Sequence, residues 1–115
     1  MTAELAVALP VLMALTIGLV WLLSLGVAQV RLVDAARETA RALARGDAEG
    51  PSLERGAQVA PPGSTITVAR GTAEVRVRVE ASTTGPGGLF AHLPGPRLRA
   101  EAVAAIETAG VPVTP

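Results

Sequence analysis

The sequence predicts an α+β fold in which a long N-terminal membrane-spanning helix continues into an amphipathic half and packs on a small antiparallel sheet of about three strands. Three observations predict it. Residues Leu5 to Val30 carry no charge, bounded by Glu4 before and Arg31 after. From Arg31 to Arg45 the apolar side chains recur at helical spacing, and beyond residue 64 they alternate with polar ones at period two. The expected organisation is a transmembrane segment over 1–30, an amphipathic continuation over 31–46, a small sheet domain over 47–109 and a tail over 110–115.

The apolar run is long enough to cross a bilayer, because a helix of that length reaches roughly 39 Å against a hydrocarbon core of about 30 Å. It exceeds the apolar core of a signal peptide, and no basic residue precedes it in Met1-Thr2-Ala3-Glu4. Pro10 removes one helical donor and crowds the carbonyl of Ala6, a defect that membrane helices tolerate. Gly18 and Gly26 are too far apart to form a close-packing GxxxG pair. Trp21 falls about 24 Å along the helix from Leu5, where it is either an interfacial anchor or one apolar ring among leucines.

Beyond Val30, Leu32, Ala36, Ala40 and Leu43 form an apolar stripe, while Arg37, Glu38, Arg41 and Arg45 occupy the remaining surface. Gly46 supplies the stop, so one helix from about Ala3 to Arg45 is expected. Asp47 to Gly63 reads as a connection, with Ser52 capping at most a short helical turn that Gly56 and Pro61-Pro62-Gly63 curtail.

Two strands follow. Ile66 and Val68 alternate with Thr65, Thr67 and Ala69; Val75, Val77 and Val79 alternate with Glu74, Arg76, Arg78 and Glu80. Gly71-Thr72 fits a two-residue hairpin loop that would set Val68 opposite Val75 and Ile66 opposite Val77, with both apolar rows on one face. Val33, Ala36, Ala40 and Leu43 are expected to cover that face. After Gly85-Pro86-Gly87-Gly88, the piece Leu89 to Leu93, with Phe90 and His92, reads as a loop over the sheet's edge. Leu98 to Glu107 suits a helix by its Ala and Glu content and a strand by the alternation of Leu98, Ala100, Ala102, Ala104 and Ile106. The strand is preferred because a lone two-stranded hairpin is marginal. Gly110 to Pro115 is expected to be an extended or disordered tail.

Composition excludes much chemistry. There is no Cys, hence no disulfide framework and no thiolate metal site. His92 is the only histidine and lacks a second ligand nearby in sequence. Ser24, Ser52, Ser64 and Ser82 have no evident acid–base partner, and no glycine-rich loop opens a helix after a strand. Ten arginines balance ten acids without a single Lys, so no net basic field would draw nucleic acid. Nothing positive marks an enzyme, a metal site or a cofactor site.

One resemblance emerges from the N-terminal half. Glu4-Leu5-Ala6-Val7-Ala8-Leu9-Pro10 resembles the Glu-x-Ala-x-x-x-Pro start of TadE-like proteins, the minor pilins or pseudopilins of tight-adherence (Flp) pilus systems. Val33-Asp34-Ala35-Ala36-Arg37-Glu38-Thr39-Ala40-Arg41 is similar to the Ala/Arg-rich helix that follows their membrane segment. The resemblance implies a pilin-like, structural, non-catalytic subunit of the cytoplasmic membrane, with one membrane pass and its C-terminal domain outside the cytoplasm. Its partners would be the bilayer and other pilin-like or apparatus subunits met through the N-terminal helix. Family prepilins carry a basic leader ending in Gly that a prepilin peptidase removes, leaving the Glu fifth. A leader whose Gly was separated from Met1 by one further residue would place Glu4 there.

The resemblance also gives Glu4 an assembly role, pairing with a neighbouring subunit's amino terminus; the alternative is a residue resting at the water interface. Orientation sets two rules against each other. Arg31, Arg37, Arg41 and Arg45 all follow the apolar run, which by the positive-inside rule alone puts the sheet domain in the cytoplasm. The expectation here follows the resemblance, on the premise of a basic leader upstream. A second functional class is a bitopic anchor whose small domain binds a partner or ligand.

Overall fold

The computed structural model describes residues 2–83 and 95–107. The Gly85–Gly88 break, the Leu89–Leu93 piece with Phe90 and His92, and the 110–115 tail lie outside the described residues. Helix α1 runs unbroken through Pro10 from Ala3 to Ala44, and its first turn is closed by Thr2, whose side chain accepts from the Leu5 N–H. The chain is drawn out to 84 × 24 × 18 Å, a stem carrying a head at one end.

Gly46 ends α1 as its sequence promised. It sits at φ +92°, its N–H donates to Leu43 O at 3.0 Å, and the Asp47 N–H donates to Ala42 O at 3.1 Å. That pair of bonds is a Schellman closure, which requires a left-handed residue. Asp47 then receives Arg45 at 3.0 Å and Arg55 at 3.6 Å, tying the stem's end to the segment that follows.

That segment is a real helix, α2, Glu49–Val59, where the sequence suggests at most a short turn. It begins at Ala48 without a side-chain cap. Ser52 lies inside it, buried, with its hydroxyl donating to Ala48 O at 2.8 Å. Gly56 does not curtail the helix because it serves packing: a side chain built there would run into Thr39 Oγ1 of α1 and come within 3.2 Å of Ile66 Cδ1. Absence of a side chain lets the two helices cross closely, a use of glycine that composition alone cannot separate from helix breaking.

The sheet has three antiparallel strands in the order β1 (Thr65–Arg70), β2 (Glu74–Ser82), β3 (Arg97–Ala105). Residues 98–105 are therefore strand, not helix. The hairpin register is displaced by two residues from expectation: Val68 faces Val77, Ile66 faces Val79, and Arg70 faces Val75. The turn is centred on Thr72-Ala73, with the Gly71 N–H donating to Glu74 O at 2.7 Å, and none of its residues has positive φ. It is thus not a primed turn, and the freedom of Gly71 goes unused. An Ile106 N–H donating to Ala73 O at 2.9 Å fixes the turn from the β3 side. A shift of two preserves the faces, since side chains alternate with period two.

The core lies between α1 and the sheet. Leu32, Ala35, Ala36, Ala40 and Leu43 meet Val75, Val77, Val79, Ala81 and Ala100, with Val33, Ile66, Val68, Leu98 and Ile106 partly buried around them. Small residues on the helix let it ride close to the sheet, and the central strand supplies the bulk. Val75, Val77 and Val79 are all fully buried.

Candidate assembly surface on the stem

The stem's outer part is apolar on every side and unburied. Val7, Val11, Met13, Val20 and Leu23 each expose more than sixty percent of their surface, and nothing in the most apolar stretch is buried within the molecule. A water-soluble helix hides one stripe; this one hides none, and it meets the length and composition needed to cross a membrane. Its few hydroxyls are satisfied internally. Thr16 Oγ1 donates to Leu12 O at 2.9 Å and Ser24 Oγ to Trp21 O at 2.7 Å, as side chains lacking water should do.

The head reaches lower on the stem than the expected boundary at Arg31. Partly buried Leu25, Ala28 and Gln29 begin the same stripe that continues through Leu32, Ala35, Ala36, Thr39, Ala40 and Leu43. Gln29 Nε2 donates to Arg99 O at 3.1 Å. The run before that stripe, Leu5 to Ser24, measures about 30 Å as a helix, close to the thickness of a hydrocarbon core.

Glu4 stands in the first turn of α1, beside Ala3, Val7, Ala8, Val11 and Leu12. Among the described residues no cation pairs with its carboxylate. A negative charge there favours the helix through its dipole, and it is also the one charge at the edge of an otherwise apolar surface.

On the opposite end, the outer face of the sheet is polar and cross-linked by charge. Glu101 receives Arg76 at 2.8 Å and Arg78 at 3.2 Å, Arg76 lies 3.6 Å from Glu74, and Arg97 lies 3.8 Å from Glu80. The two guanidiniums, Arg78 first, hold the Glu101 carboxyl below the usual carboxylate range. Arg76, Arg78, Glu74 and Glu80 were all expected on this face. Glu101 was missed, although it falls at an outward position of β3; only the register that sets it opposite Arg78 reveals its partner. Gln29 was missed because one polar residue inside an apolar run gives no sign of what it will meet. Among the described residues no group of His, Cys, Asp and Glu is arranged to hold a metal.

Residues 1–41 match the TadE-like protein family. No curated protein and no solved structure is significantly similar to the chain. The match covers the exposed stem and most of the helix that underlies the head, and it supports a membrane protein associated with a tight-adherence pilus.

Proposed function

We propose that this chain is a structural, non-catalytic subunit, a minor pilin or pseudopilin of a tight-adherence pilus or a related secretion apparatus. It crosses the cytoplasmic membrane once, with the head on the extracytoplasmic side. One observation supports this reading best. The family match falls on the helix whose outer part is exposed and apolar all round, and the length of that part suits a bilayer.

Within this reading the stem does two jobs in sequence. In the membrane its apolar surface faces lipid. In an assembly the same surface faces other stems, and Glu4 at its edge becomes the group that sets their register, because a carboxylate beside hydrocarbon is costly unless it is paired.

Variants at Glu4 test the proposal. Removing a charge from the edge of an apolar run cannot weaken insertion, so Glu4→Ala should still reach the membrane. It should be depleted from pilus complexes, and Glu4→Gln, which keeps shape without charge, should behave as Ala does. The measurement is the ratio of complex-associated to membrane-bound protein. An unchanged ratio in both variants would leave Glu4 with no part in assembly. Orientation is tested separately by a reporter fused after Pro115, expected to be active only outside the cytoplasm.

A further inference from the structure

Where head and stem meet, an unneutralised cation stands over an apolar groove. Val20, Leu23, Val27 and Ala28, with Ser24, line an open groove of about 390 Å³ that ends at Arg31 and Pro61. Arg31 is exposed, and among the described residues it has no ion-pair or hydrogen-bond partner. The nearest acid along α1, Asp34, is one turn on and lines a different groove, with Arg37, Glu38 and Arg41.

The sheet places two more arginines at a similar height. Gln29 bonds to Arg99 O, and the Glu107 N–H donates to Ala44 O at 3.0 Å, so β3 runs alongside α1 in the same direction. Arg99 is therefore level with Gln29. Arg97, two strand residues earlier, lies about 6.6 Å nearer the stem's outer part, roughly level with Leu25. Both are exposed, and among the described residues the one acid paired there is Glu80, 3.8 Å from Arg97.

We propose that this collar binds an anionic phospholipid of the leaflet next to the head, its phosphate on Arg31 and an acyl chain along Val20, Leu23 and Val27. The proposal rests on the membrane-spanning reading above. With Leu5 to Ser24 in hydrocarbon, Arg31 lies about 10 Å beyond Ser24 along the axis, a distance at which an arginine stem follows apolar surface while its head meets the phosphate layer. The guanidinium fork matches phosphate oxygens in pairs. A zwitterionic headgroup brings its own cation to the same place, whereas an anionic one does not, and Arg97 and Arg99 extend the preference on the sheet side.

Trp21, the only tryptophan, lies next to Val20 and reports on the groove. The full chain is reconstituted in vesicles of phosphatidylcholine doped with equal amounts of either brominated phosphatidylglycerol or brominated phosphatidylcholine, bromines at the same acyl position, and quenching of Trp21 is measured. The anionic lipid should occupy the quenching site about fivefold more favourably, the size expected of one basic residue at a membrane surface. Arg31→Gln should bring the two lipids to parity, and Arg31→Lys should keep most of the preference. Equal quenching by both lipids in the native chain, or a preference undiminished in Arg31→Gln, would overturn the site. No quenching by either lipid would overturn the membrane span on which it rests.

Discussion

Replacing Gly56 by Ala tests the crossing of α1 and α2 directly. In an open helix interior this change gains about 1 kcal/mol, because alanine restricts the unfolded chain and favours the helix. At Gly56 the added carbon would overlap Thr39 Oγ1 and press on Ile66 Cδ1 at 3.2 Å, while Ala35 O at 3.5 Å would be an ordinary contact. Overpacking of that kind costs about 1–3 kcal/mol, and Thr39 Oγ1, one bond from a Cβ fixed on α1, has little room to yield, so the net change should be a loss of about 1–2 kcal/mol. With a urea slope of about 1 kcal/mol/M for a head this small, the midpoint should fall by about 1–2 M. The assay is urea unfolding of the full chain in micelles, followed by hydrogen exchange of β2 amides.

The cycle is closed with Thr39. Thr39→Ala takes away the hydroxyl and leaves room, so Gly56→Ala in that background should cost at least about 1 kcal/mol less than in the native one. Thr39→Val gives a control of opposite design. Thr39 Oγ1 is buried without a hydrogen-bond partner among the described residues, and such a group costs about 1–3 kcal/mol. Val should therefore raise stability while leaving the steric conflict in place. A Gly56→Ala chain more stable than the native one, or an effect that is the same in the native and Thr39→Ala backgrounds, would refute the crossing.

Other expectations follow from the same core. Leu32→Ala, at a fully buried position, should cost about 2–5 kcal/mol, seen as a lowered urea midpoint. A fragment beginning at Gly46 loses Leu32, Ala36, Ala40 and Leu43 from the core and should unfold at much lower urea than one beginning at Leu25; equal midpoints would remove the helix from the core. Glu101 is held low in the folded head by Arg78 and Arg76. A depressed folded pKa gives stability that is present above the ordinary carboxylate value, 4.5, and lost as pH falls through the folded one. The midpoint should therefore show an acid-side decline below about that pH that is absent in Glu101→Gln.

Much of this architecture was legible before any coordinates. A run of apolar residues too uniform for a soluble helix, Gly46 after Arg45, and valines at every second position each have one inexpensive structural solution. What escaped shares a cause. Gly56 reads as a helix breaker unless the neighbouring helix is known to cross there. The hairpin register depended on which residue opens the turn, and two placements separated by two residues satisfy the same face pattern. Glu101, Gln29 and Thr39 matter only through partners 23 or more, 70, and 17 residues away, respectively Arg78 and Arg76, Arg99, and Gly56. Local pattern carries no information about such pairs. The Glu4 assignment came from a different source, likeness to a family, and its geometry adds exposure and a charge unpaired among the described residues, without naming a partner.

The alignment of β3 alongside α1 has a mechanical consequence. The two elements are joined near both ends, by Gln29 to Arg99 and by Glu107 to Ala44, and the buried stripe runs between those joins. A pull along the stem therefore reaches the head as shear spread over about 29 Å of helix, from Leu25 to Ala44, rather than as a peel that opens one contact at a time. The joint resists traction along its axis far better than a sideways tug on the head.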